Sequence, residues 1–94
     1  MNEVDEHFFN RADEHINLSN AQLSDASMGK VSASMLYSVA RFNAWVAACG
    51  WHNGKEMEAA KQEIIEYFTE QYKKMLSENV EDYITNFDAH IKNK

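Results

Sequence analysis

The chain contains no proline, and its three glycines stand only at Gly29, Gly50 and Gly54. Residues that interrupt helices therefore fall at just two places in 94 residues. Between them nothing halts an α-helix once apolar side chains recur at helical spacing. Three helical segments are expected, in a single domain spanning residues 1–94, because a chain of this size has little room for a second core.

The first segment is expected to begin near Asn2, an N-cap residue followed by Glu3, Asp5 and Glu6, acids that suit the positive end of a helix dipole. Its apolar stripe is Val4, Phe8, Ala12 and Ile16, widened by Phe9 and continued by Leu23, with Gly29 as the stop or turn. In the second segment Met35, Val39, Phe42, Val46 and Cys49 alternate in steps of four and three, the pattern of a packed helical seam. A second row, Ala33, Ala40, Ala44 and Ala47, is small enough for another helix to approach closely. This helix is thus expected to be central and buried on two sides, ending at Gly50. Its narrow remaining face carries Ser34, Ser38, Arg41 and Trp45.

Asn53 and Glu56 have the N-cap and N3 spacing of a capping box and open the third segment. Met57, Ala60, Ile64, Phe68, Tyr72, Met75 and Leu76 keep helical period, and the pattern continues through Val80, Tyr83, Ile84 and Phe87. Unbroken to His90, such a helix would run ~54 Å, well beyond a central helix of ~30 Å. A bend near Ser77–Asn79, with a short fourth helix from Val80 to Ala89, is the expected resolution; packing of the far end on another subunit is the alternative. The fold class is all-α: a small bundle of three long helices with a bent or short fourth C-terminal helix.

Composition limits the function. Fifteen acids against nine bases give a net charge of −6, which opposes the counterion release that drives nucleic-acid binding. No nucleic acid and no membrane partner is expected, and no apolar run approaches the ~20 residues of a bilayer span. The opening Met-Asn-Glu-Val-Asp-Glu-His is acidic where a secretion signal would be basic. A lone cysteine, Cys49, excludes an internal disulfide and fits a reducing compartment, so a cytoplasmic address is expected. Between Asp25 and Glu56 lie thirty residues without an acid, and this interval is expected to form the inside of the protein.

No motif fixes a reaction. Di-iron bundles use Glu-x-x-His pairs, and no glutamate stands three before His7, His15, His52 or His90. Glu3, His7 and Glu14, with Asp13, share one side of the first helix as a loose metal set, but a solvated polar face accounts for them better. Cys49 with His52 could form a nucleophile and base, yet Cys49 belongs to an apolar seam and is expected in the core. Met28-Gly29-Lys30-Val31-Ser32 lacks the first glycine, the hydroxyl position and the strand of a phosphate loop. Arg41 sits in the most apolar segment with no acid beside it, so its partner must be a carboxylate of another helix, the Trp45 ring, or an anion. Tyr37, Arg41, Asn43 and Trp45 are the candidate interface or anion site. No catalytic residue, cofactor or metal site is assigned.

Lys30-Val31-Ser32-Ala33 through Tyr37, the run Ala40-Arg41-Phe42-Asn43-Ala44, and Ile65-Glu66-Tyr67-Phe68 with Gln71-Tyr72 and Met75-Leu76 resemble the small bacterial proteins grouped as domain of unknown function 3144. Phe8-Phe9-Asn10-Arg11-Ala12 and the segment from Asn79 to Phe87 fit the same pattern. The resemblance implies a short, all-helical, bacterial protein without an assigned activity, and carries over no functional residue. The expected role is a non-enzymatic interaction or structural module, self-associating or binding another protein through the Tyr37–Arg41–Trp45 neighbourhood or the aromatic C-terminal segment. The alternative is a bundle binding a small anion through Arg41, Tyr37 and Asn43, or a metal through His7, Glu3 and Glu14.

Overall fold

The computed structural model describes residues 4–92, and among these the structure is all-α. Four α-helices follow in order: α1 (Phe8–Gln22), α2 (Met28–Ala48), α3 (Gly54–Ala59) and α4 (Lys61–Thr85). A single π-helical turn, Asp88–Lys92, closes the described chain. Three long helices and a short C-terminal element are as expected from the spacing; the additional short helix is α3. The chain divides inside α2 into two units, one ending at Ala44 and the other starting at Trp45.

In the first unit the expected cap Asn2, and Glu3 beside it, lie outside the described residues. The observed start is set by Asp5. Its carbonyl accepts the Phe8 N–H at 3.1 Å, and its carboxylate accepts the His7 N–H at 3.0 Å and the Arg11 guanidinium at 3.1 Å. Partial desolvation of the exposed Asp5 carboxyl pushes its pKa up, but the His7 N–H and the bonded Arg11 charge outweigh this and hold it below the ordinary value. α1 ends at Gln22 through successive three-residue hydrogen bonds from Leu23, Ser24 and Asp25, which tighten the last turn.

Gly29 does not stop a helix. Ser27 caps α2, its hydroxyl accepting the Lys30 N–H at 3.3 Å and its carbonyl the Val31 N–H at 3.0 Å, so Gly29 is the second residue of that helix. The short link turns α1 and α2 into a hairpin. The Ser19 hydroxyl donates to the Met35 sulfur across it at 3.2 Å, and Val31, 6% exposed, is packed at its closed end.

In the second unit α2 ends at Ala48, two residues before Gly50. Gly50 and Trp51 donate to the carbonyls of Ala47 and Ala48 at 3.1 Å each, and no described residue has a left-handed backbone. Asn53 caps α3 as its spacing predicts, accepting the Glu56 N–H at 2.8 Å. The return bond is displaced by one residue: the Glu56 carboxylate accepts the His52 N–H at 3.0 Å. Ala60, 9% exposed, forms the single-residue joint between α3 and α4.

α4 then runs unbroken through the place expected to bend. Ser77–Asn79 is helical, and the Asn79 amide donates back to the Met75 carbonyl at 2.7 Å instead of capping a new helix. The helix spans ~38 Å and ends at Thr85, so the expected short helix from Val80 to Ala89 is replaced by the end of α4 and the π turn.

Burial departs most from expectation. Val31 and Ala60 are the buried residues among those described. The α2 seam stands open: Val39 and Val46 are exposed, Met35 is half-buried, and Cys49 is exposed rather than in the core. The acid-free interval is therefore not an interior. A hairpin gives α2 one neighbour, and one neighbour covers one side.

Candidate interaction surface

In the first unit Tyr37 and Arg41 are one helical turn apart on α2, both exposed, Tyr37 to 67%. Asn43, two residues on, is half-buried and lies on roughly the opposite side of the helix from Arg41. Among the described residues Arg41 has no carboxylate within ion-pair distance, so of the partners expected for it a carboxylate of another helix is not found there. Trp45, the first residue of the second unit, is 60% exposed.

The loose metal set does not assemble. Glu3 lies outside the described residues, and His7 lies 3.3 Å from the Glu6 carboxylate. Among the described residues no three His, Cys, Asp or Glu side chains come together to hold a metal ion. His52, the candidate base for Cys49, is 3.3 Å from the Glu56 carboxylate.

In the second unit two apolar clefts lie along α4. The first is formed at the N-terminal end of α4, where Trp51 and Ala47 meet Ala60, Ile64, Tyr67 and Phe68. Ile64 and Phe68 are half-buried there, and the Phe68 ring meets Tyr67 edge-on at 5.1 Å. The second is a shallow apolar groove at the other end, formed by Leu76, Asn79, Val80, Tyr83, Ile84 and Phe87. Every residue from Thr69 to Ala89 is exposed.

The C-terminal turn is tied to this second groove. The His90 imidazole lies 2.9 Å from Asp82 Oδ2, and the Asn86 amide donates to Asp82 Oδ1 at 2.8 Å. Those two bonds, the Asn86 one foremost, hold the Asp82 carboxyl below its ordinary pKa. The signal for this hook was present in the sequence as Asp82, Asn86 and His90 at four-residue steps, which align on one helical face.

Chemically the arrangement offers apolar faces and scattered exposed charges rather than a convergent set of reacting groups. No described helix is long and apolar enough to cross a membrane. The family model described as protein of unknown function (DUF3144) matches residues 8–84. No curated protein and no solved structure matches the chain.

Proposed function

Starting from the fact that the chain belongs to the DUF3144 family, whose description assigns no reaction, we propose that it is a small non-enzymatic interaction module of the bacterial cytoplasm that self-associates through its apolar helix faces. One observation carries this reading: only Val31 and Ala60 are buried among the described residues, while Leu36, Tyr37, Trp45, Tyr72, Leu76, Tyr83 and Phe87 are exposed. Helices with open apolar stripes gain little from propensity and draw their stability from what covers those stripes. A net charge of −6 argues against nucleic acid as the cover.

Association that stabilises the fold makes the unfolding midpoint depend on protein concentration. Light scattering and thermal unfolding from micromolar to millimolar chain test the reading together. The expected result is a mass above one chain with a midpoint that rises with concentration. A single-chain mass and a constant midpoint throughout would overturn it.

A further inference from the structure

The cleft at the N-terminal end of α4 is built for a smaller guest than a helix. Every residue lining it belongs to the second unit. Ala60 is buried and Ala47 half-buried, so two alanines leave room between the end of α2 and the start of α4. Ile64 and Phe68 follow Ala60 on the same face of α4 and are half-buried. Trp51, 41% exposed, and Tyr67, 50% exposed, stand more open. The Tyr67 and Phe68 rings meet at 82°, so their faces point in two directions instead of forming one flat stack. The cleft measures about 290 Å³, close to the lower end of the range for small-molecule sites.

One lining residue is charged. Glu63 lies one turn before Tyr67 on the same face of α4. Among the described residues no cation comes within ion-pair distance of it. The groove at the far end of α4 has no charged lining residue. An acid in the first turn of a helix suits the dipole, but here it shares a cleft with three aromatic rings. Ring faces are negative, and with a carboxylate they favour a cation that tolerates losing water.

We propose that this cleft binds a quaternary ammonium group, with Glu63 as its counter-charge and Trp51, Tyr67 and Phe68 as its ring faces. Hydrogen-bond accounting sets the degree of alkylation. A primary ammonium carries three N–H donors and is strongly hydrated, and the lining side chains offer it at most the Glu63 carboxylate and the Tyr67 hydroxyl. Entry would leave a donor without a partner. A quaternary ammonium has no N–H to satisfy and turns methyl groups toward Ala47, Ala60 and Ile64. The net charge of −6 adds attraction for any cation at longer range.

The test is a titration of the full chain with tetramethylammonium chloride, followed by backbone amide chemical shifts against a sodium chloride blank. Saturable shifts are expected around Ala47–Trp51 and Ala60–Phe68, with a dissociation constant on the order of 1 mM, as suits a shallow site. Choline should bind about tenfold more tightly than its uncharged carbon isostere 3,3-dimethylbutanol, and more tightly than ethanolamine. Glu63→Gln and Trp51→Leu should each weaken binding about fivefold, while Tyr83→Leu, in the other groove, should leave it unchanged. A peptide carrying trimethyllysine separates the two sources of this group: tighter binding than tetramethylammonium assigns it to a protein side chain, and equal or weaker binding to a free amine. Shifts that never saturate, equal binding of the uncharged isostere, or binding untouched by both Glu63→Gln and Trp51→Leu would overturn the site. Light scattering reads self-association separately, so either reading can fail without the other.

Discussion

The Tyr83 ring stacks on the His90 imidazole, with centroids 4.2 Å apart and planes 26° from parallel. A residue in the last turns of α4 is thereby held against one in the turn that follows it. The same imidazole bonds Asp82, and Asn86 bonds Asp82 from its other oxygen. One carboxylate thus fixes the chain's exit from the helix.

This arrangement predicts a pH dependence of definite sign. The folded Asp82 pKa is depressed, chiefly by the Asn86 bond and then by His90, so its contribution is full above the ordinary aspartate range of about 4 and is lost as pH falls through the lowered value. The protection of amides across residues 86–92, their exchange rate relative to the intrinsic rate at each pH, should be steady from pH 7 to 5 and fall below about 4. Asn86→Ala should return the Asp82 carboxyl, followed by carbon NMR, further toward its ordinary pKa than His90→Ala does. Equal pKa values in the parent and both variants would contradict the bonding described.

Asn53 caps α3 with its side chain, accepting the Glu56 N–H at 2.8 Å. Asn53→Ala should cost about 1 kcal/mol in thermal unfolding, and Asn53→Gly only a few tenths. Glu56→Gln should cost less than Asn53→Ala, because its carboxylate serves the exposed His52 N–H.

The residues that were legible in the sequence are those whose chemistry is local. Asn53 caps because its oxygen is three residues from a free N–H, and the long helices follow from apolar period and the absence of proline. Ser77–Asn79 was misread because asparagine both caps and back-bonds, and the choice depends on whether the preceding turn is already helical. Cys49, Val39 and Val46 were misread for a different reason: periodicity names the face that seeks cover, not whether the same chain supplies it. Arg41 was rightly singled out as lacking an acid on its own helix, but an arginine on an exposed face needs no buried partner.

Asn79 offers a direct check on the unbroken α4. Its side chain competes for the Met75 carbonyl, so Asn79→Ala should stabilise the helix by about 0.5 kcal/mol, while Asn79→Pro should cost about 3 kcal/mol. Circular dichroism should show helix content kept in the first and reduced in the second. A proline tolerated without loss would mean that the chain already bends there.

Arg41 gives a prediction that separates a surface residue from a paired one. Removing one partner of a buried ion pair costs about 3–5 kcal/mol, whereas an exposed substitution stays within about 0.5 kcal/mol. Arg41→Ala should fall in the second range by urea unfolding at low concentration. A loss of several kcal/mol would require a carboxylate or other anion against the guanidinium in solution.

Val31 and Val80 compare one chemical change in two surroundings. Val31 is 6% exposed and Val80 47%, so the same two methyl groups are lost from a packed hairpin in one case and from an open groove in the other. Val31→Ala should cost about 2 kcal/mol at any protein concentration, from lost burial and the small cavity left behind. Val80→Ala in dilute protein should cost under about 1 kcal/mol, since half the side chain already meets water and alanine is the better helix former. As concentration rises the cost at Val80 should climb toward that at Val31, because an apolar face covered by self-association behaves as a core. Unfolding curves for both variants across a thousandfold range of concentration make the comparison, and a Val80 cost that stays flat would leave the groove open to water.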